Sequence, residues 1–165
     1  MTERGERLML MSIRSRFVAD LLSGRKTVEL RRTRPLVNPG QPVAIYETVP
    51  VAAITAVAVV GAVTETSPTS LWDNFGDVTG LTRHEFRQYF SGCRSAIAIH
   101  LLGIRAVSEP VTLAHLRRNG SFQPPQTWNF LDKEDLRQLL GEHGSAPELI
   151  GSLAPEKRDP RTAFG

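Results

Sequence analysis

The chain is poor in the features that declare many functions outright. A single cysteine, Cys93, among 165 residues excludes an internal disulfide framework. It sits between Gly92 and Arg94 with no histidine neighbour to activate it, and reads as a structural thiol rather than a nucleophile. No apolar run approaches the length of about 20 residues that a membrane-spanning helix requires, and none has the organisation of a secretory signal. A soluble, cytoplasmic protein with no membrane partner is therefore expected. The four histidines, His84, His100, His115 and His143, show no ligand spacing with one another or with Cys93, and neither H-E-x-x-H nor C-x-x-C occurs, so no metal is expected. Glycine-rich phosphate loops of the Walker or dinucleotide type are also missing, and no cofactor is expected.

What remains is the length of one ordinary domain, enough to bury a core without metals or disulfides. The net charge is only +3, but it is unevenly placed. The first 35 residues hold nine basic side chains (Arg4, Arg7, Arg14, Arg16, Arg25, Lys26, Arg31, Arg32, Arg34) against four acidic ones (Glu3, Glu6, Asp20, Glu29). That local excess is larger than the excess of the whole chain. A fold that gathers these residues makes a basic rim, which attracts phosphates; the plain alternative is a solvated face.

The same region has a regular order. Leu8 to Ile13 is a short apolar run typical of a core strand. Ser15 reads as a helix N-cap, Phe17, Val18, Leu21 and Leu22 follow at helical spacing, and Gly24 stands where a left-handed cap would end the helix. The strand that follows carries Val28 and Leu30 on one face and Thr27, Glu29 and Arg31 on the other, with Lys26 at its entrance. A carboxylate and a guanidinium side by side suit a polar ligand. Gly24-x-Lys26-x-x-Glu29-x-Arg31, preceded by Ser12, Ile13 and Arg14, resembles the G-x-K-x-x-E-x-R signature of the ASCH domain family of the PUA-like superfamily. Tyr46 to Pro50, the strand around Val57 to Val63, Ser67 and Pro68 with Leu71 and Trp72, and Phe122 to Gln126 followed by Leu131 recur in order in one subgroup, often labelled predicted transcriptional regulators with a PUA-like domain. The resemblance covers Leu8 to Leu140.

Further along, Thr33 to Gln41 reads as a loop, and Pro42 to Glu47 and Ala52 to Glu65 as strands, the second long enough to bend. Ser67 and Pro68 start a short helix with Leu71, Trp72 and Phe75, interrupted at Gly76 to Gly80. Thr82 and Glu85 form a capping box before a helix whose Phe86, Tyr89 and Phe90 are assigned to the core. Ser95 to Val107 is a long strand expected to end at Glu109 and Pro110. Thr112 to Arg118 is a short helix, Gly120 to Gln126 an extended segment, and Asp132 caps a last helix that buries Leu131, Leu136, Leu139 and Leu140. This pattern predicts an α+β domain over 1–140 around a small mixed β-barrel with short peripheral helices. The resemblance makes it a PUA-like barrel, with the signature residues pointing into a cleft beside the first helix. Residues 141–165 are expected to be a flexible or surface-draped tail that buries no face.

Lys26, Glu29 and Arg31 together offer cations for phosphate and a carboxylate for base amines or a ribose 2′-hydroxyl. Glu29 also has a structural reading as half of an ion pair. The expected nucleic-acid site comprises Ser12, Arg14, Arg16, Arg25, Lys26, Glu29, Arg31 and Arg32, with Tyr46 and Trp128 as candidate stacking rings and Gln126 as a candidate reader of a base edge. The leading expectation is a domain that binds RNA or DNA, single-stranded or structured, through a basic cleft. One alternative is a slow ribonuclease, or a hydrolase of a modified nucleoside, with Lys26 and Glu29 as its acid-base pair. Another is a sensor of a modified base or small molecule. The resemblance implies ribonuclease activity in some family members and N4-acetylcytidine deacetylation in a related branch. That branch matches at Lys26 but has a threonine nucleophile where Glu29 stands, and its catalytic glutamate has no clear counterpart near Thr79 and Asp77. Deacetylation by that route is not expected.

Overall fold

The computed structural model describes residues 7–153. Six strands form one mixed sheet in the order β2-β5-β4-β3-β1-β6. They are β1 (Arg7–Ile13), β2 (Val28–Arg31), β3 (Pro42–Glu47), β4 (Ala53–Thr66), β5 (Ala96–Thr112) and β6 (Trp128–Asp132). Only β1 and β3 pair in parallel; the other neighbours run antiparallel. The helices are α1 (Ser15–Ser23), α2 (Pro68–Phe75), α3 (Arg83–Tyr89), α4 (Leu113–Asn119), α5 (Lys133–Leu140) and α6 (Ala146–Gly151), with a 3₁₀ turn at Gly76–Val78. This is the expected mixed α+β architecture with short peripheral helices.

The apolar run of β1 is continuous because both of its faces are covered. Leu8 and Leu10 pack with Ala44, Tyr46, Val107 and residues of α4, α5 and α6. Met9, Met11 and Ile13, pointing the other way, pack with Val18 and Leu21 of α1 and with Ile45, Ala58 and Ile99. A third cluster joins Val28 and Leu30 of β2 to Leu71, Phe86 and Phe90. The long β4–β5 pair carries three register shifts, and such irregularities bend and twist a strand pair. The bending brings the β2 margin round toward β1. No backbone ladder joins the two; the Arg31 side chain spans the gap and donates from Nη2 to the Ser12 carbonyl at 3.2 Å.

Several local expectations need correction. Arg14, not Ser15, occupies the N-cap of α1 and gives no side-chain capping bond; Ser15 is the first helical residue. Leu22 is 43% exposed, so Val18 and Leu21 alone are the fully buried residues of that helix. Pro110 does not end β5, which continues to Thr112. Its missing N–H is harmless because it lies in the shifted stretch between the Ile54–Val111 and Ala56–Ala106 pairs. Leu131 belongs to β6, opposite Leu8, rather than to the last helix. The expectation that nothing beyond Gly141 buries a face also fails. Ala146, Leu149 and Leu153 enter the first core, and Ser145 is fully buried, accepting from the Glu109 N–H at 2.9 Å. Six residues of helix are too few to announce themselves by periodicity. The rest of the proposed tail, 154–165, lies outside the described residues.

Candidate functional site

The gap between β2 and β1 is a cleft of about 550 Å³. Its walls come from Ser12, Ile13 and Arg14 at the end of β1, Arg16 and Phe17 of α1, Lys26 and Glu29 to Arg31, Leu81, Glu85, Gln88 and Tyr89 of α3 and its entry, and Gln126 with Thr127. Ser12 ties down the last of these: its N–H donates to the Thr127 carbonyl at 3.1 Å and its Oγ to the Pro125 carbonyl at 2.6 Å. Pro124 and Pro125 keep the segment extended, so Gln126 and Thr127 form a fixed wall.

Three charged side chains are buried at this cleft. Lys26 is 2% exposed, Glu29 6% and Arg31 9%. The Lys26 Nζ donates to the Thr79 carbonyl at 2.6 Å, lies 3.5 Å from Glu29 Oε2 and 4.9 Å from the centre of the Phe17 ring. Burial lowers its pKa below the ordinary lysine range, and the neighbouring Glu29 opposes part of that shift. The turn above it needs glycine at position 80, where φ is +75° and a Cβ would stand 3.3 Å from Lys26 Cδ. Arg31 clamps Glu29 through Nη1 and Oε1, and also donates to the Leu30 carbonyl at 2.9 Å. Two atoms of the group stay unsatisfied: Glu29 Oε2 and Arg31 Nε are buried without a hydrogen-bond partner. Ion pairing nevertheless reaches both oxygens of Glu29, Oε1 facing Arg31 and Oε2 facing Lys26, as the structural reading expects.

At the rim, Arg14 is exposed and makes no side-chain hydrogen bond or ion pair with other described residues. Arg16 is committed to Glu85, with contacts of 2.6 and 2.9 Å. Those bonds, together with the capping-box bond from the Thr82 N–H, hold the Glu85 carboxyl down at about 2. Ser12, Arg14, Arg16, Lys26, Glu29, Arg31 and Gln126 thus converge as the sequence suggested. Four others do not line the cleft. Arg25 points outward beside Asp20 at 3.6 Å. Arg32 donates to the Tyr89 carbonyl at 2.7 Å and stacks over that ring from outside. Tyr46 is buried against Phe122 in the first core, and Trp128 packs on the second core, so neither expected stacking ring faces the cleft. The aromatic rings that do are Phe17 and Tyr89. The sequence pattern places both on helix packing faces, since helical spacing cannot separate a core ring from one at the edge of a groove. Burial raises the Tyr89 pKa, and its hydroxyl donates to the Leu30 carbonyl at 3.2 Å.

A larger groove of about 860 Å³ lies elsewhere, beside Leu36, Val59 and Leu102. Its charged lining among the described residues is Arg7 and Arg105 alone, so it lacks the acid-base inventory of the smaller cleft. No helix among the described residues is long and apolar enough to cross a membrane.

Residues 9–120 match the family described as Domain of unknown function (DUF365). A protein described as an ASCH domain-containing ribonuclease, from Zymomonas mobilis subsp. mobilis, is 32% identical over 132 residues, which are 79% of this chain and 88% of the relative. The crystal structure of ASCH from Zymomonas mobilis superposes with a TM-score of 0.76 at 31% identity, covering 84% of this chain and 95% of that one. The N-terminal domain of Staphylothermus marinus McrB, at 11% identity and a TM-score of 0.50, shares the fold over 82% of this chain and 93% of its own.

Proposed function

We propose that this chain, which belongs to the ASCH domain (DUF365) family with its PUA-like fold, is a ribonuclease that cleaves RNA in the cleft between β1 and β2. The observation that carries this reading is the buried Lys26–Glu29 pair inside a basic-rimmed cleft. The Zymomonas relative described as a ribonuclease supports it and moves cleavage ahead of binding alone.

In this reading Lys26 is the proton carrier. A lysine whose pKa is lowered by burial has a larger neutral fraction near physiological pH, and the neutral amine can accept a proton. The 2′-hydroxyl of one nucleotide gives its proton to Lys26 Nζ as its oxygen attacks the adjacent phosphorus. The bond from phosphorus to the 5′-oxygen breaks, and the ammonium returns the proton to that oxygen. The products are a 2′,3′-cyclic phosphate and a 5′-hydroxyl, with no water consumed. Glu29 holds the ammonium in place, and Arg14 at the rim supplies positive charge to the phosphate. DNA, lacking the 2′-hydroxyl, binds without being cut.

The test is to incubate end-labelled single-stranded RNA and the corresponding DNA with the wild type and with Lys26→Met, and to identify the new termini. Cleavage of RNA alone, ending in cyclic phosphate and lost in Lys26→Met, is expected. Intact RNA with salt-sensitive binding would leave the protein a nucleic-acid-binding domain without turnover.

A further inference from the structure

We infer that Thr79 is the positioning residue for Lys26: its buried hydroxyl locks the turn between α2 and α3 so that its own carbonyl holds the amine in one orientation. This rests on Lys26 being the proton carrier proposed above, and it names the part of the chain that aims that carrier. Thr79 is 0% exposed and does not line the cleft. Its Oγ1 donates to the Gly76 carbonyl at 2.9 Å and accepts from the Leu81 N–H at 3.2 Å. The second bond closes a turn around the Thr79–Gly80 peptide, and the carbonyl of that peptide is the one that accepts from Lys26 Nζ at 2.6 Å. The turn is pinned on either side, since the Val78 carbonyl accepts from the Thr27 N–H at 3.0 Å and the Gly80 carbonyl from Arg16 Nη2 at 3.3 Å. Between those anchors, the bond from Oγ1 to Leu81 fixes the plane in which the Thr79 carbonyl lies. The Lys26 backbone is held as well, its N–H donating to the Asp20 carbonyl at 3.0 Å.

The consequence lies in the neutral amine, which carries two hydrogens and one lone pair. The Thr79 carbonyl takes one hydrogen, and Glu29 Oε2, 3.5 Å away, faces the other. One tetrahedral position is left for the lone pair, the electrons that accept the 2′-hydroxyl proton. Without the carbonyl the amine rotates about its Cε–Nζ bond, and the lone pair loses its fixed direction. The charged groups facing the amine are Glu29 and Arg31 of β2 and Asp20 of α1. To these the turn adds the dipole of one carbonyl, which favours the ammonium form as well as orienting the amine.

The experiment reads Lys26 itself. The chain has three lysines, Lys26, Lys133 and Lys157, so lysine-selective isotope labelling follows each titration by NMR, with Lys26→Met as the assignment. In Thr79→Val, which keeps the side-chain shape and loses the hydroxyl, the Lys26 midpoint should fall by about one unit, because the ammonium loses a hydrogen bond. Thr79→Ser should return it toward the wild-type value. A midpoint that is unmoved or raised in Thr79→Val overturns the inference. If that variant does not fold, Thr79→Cys, whose thiol bonds only weakly, should show the same fall in smaller measure, and an unmoved midpoint there overturns the inference equally. In RNA cleavage Thr79→Val should lose roughly tenfold or more in kcat with little change in KM, and its rate–pH profile should move with the NMR midpoint. A variant that keeps both kcat and profile overturns the role of Thr79 while sparing the ribonuclease reading. If the wild type never cuts RNA, the ribonuclease reading fails, while a midpoint that falls in Thr79→Val and returns in Thr79→Ser still supports Thr79 as what holds Lys26.

Discussion

Methionine in place of Arg31 removes the charge while keeping much of the side chain's length, and the structure sets what that should cost. Three acceptors lose a donor: Glu29 Oε1, the Leu30 carbonyl and the Ser12 carbonyl. Leu30 retains the Tyr89 hydroxyl, but Glu29 keeps only Lys26 at 3.5 Å. Breaking one side of a buried ion pair costs about 3–5 kcal/mol, because the remaining charge stays out of water without compensation. For a chain of this length that corresponds to a fall in melting temperature of roughly 6 to 20 °C. Lys26→Met is the control. It strips the Thr79 carbonyl of its donor, a loss of about 1–3 kcal/mol, but leaves Glu29 clamped by Arg31 and removes an ammonium whose burial is itself unfavourable. Urea unfolding of both variants at pH 7 should therefore rank Arg31→Met as clearly the less stable. Adding Glu29→Gln to Arg31→Met should restore part of the loss, since the stranded charge is gone. If Lys26→Met proves as damaging as Arg31→Met, or if the double variant simply adds the two single costs, Arg31 is not what keeps Glu29 in the fold.

Three further outcomes follow from the same geometry. Because the Lys26 pKa is lowered in the folded protein, the unfolded chain binds more protons between that lowered value and the ordinary lysine value of about 10.4. Stability contributed through Lys26 thus rises with pH across that window, and RNA cleavage rises with it as the neutral amine appears. Lys26→Met should flatten both profiles in parallel melting and rate measurements; a cleavage rate that falls over the same window would exclude Lys26 as the proton acceptor. Leu149→Ala should lower stability by about 2–5 kcal/mol in urea unfolding, since Leu149 is fully buried in the first core, whereas a value near zero would mean that α6 is not held there. Arg14→Ala should reduce the log-log salt slope of single-strand binding by about 0.7, while Arg25→Ala, whose side chain points away from the cleft, should leave it unchanged; the opposite ranking would put the phosphate path on the other side of α1.

The parts of this fold that could be read from the chain are those governed by near neighbours in sequence. The run from Leu8 to Ile13 announced a core strand, Thr82 and Glu85 announced a capping box, and Gly24 announced the left-handed end of α1, where φ is 81°. The spacing of Lys26, Glu29 and Arg31 was enough to place the last two on one face of β2. Whether a ring lies in a core or on a cleft wall depends on elements far away in the chain. Tyr46 and Trp128 looked available and are packed inward, while Phe17 and Tyr89 looked like packing residues and face the cleft. Likewise β6 exists because β1 offers it an edge, and α6 because the first core has room for Leu149 and Leu153. Neither cause is written in the local sequence. The two orphaned atoms of Glu29 and Arg31 belong to the same class, since only the assembled neighbourhood decides which hydrogen bonds go unmade.

β2 and β1 are not neighbours in the sheet, and the gap between them is spanned by the Arg31 side chain, whereas each neighbouring pair of strands is joined by a backbone ladder. Losing the guanidinium contact to the Ser12 carbonyl would rupture no strand pairing. The two margins are still held by side chains, since Met9, Met11 and Ile13 of β1 share a core with Ile97, Ile99 and Leu101 of β5, and Arg16 of α1 reaches Glu85 of α3 across the cleft. The width of the cleft is thus set by packing and ion pairs and not by a ladder, so substitution at Arg31 or Arg16 can reshape the cleft without costing the sheet a strand.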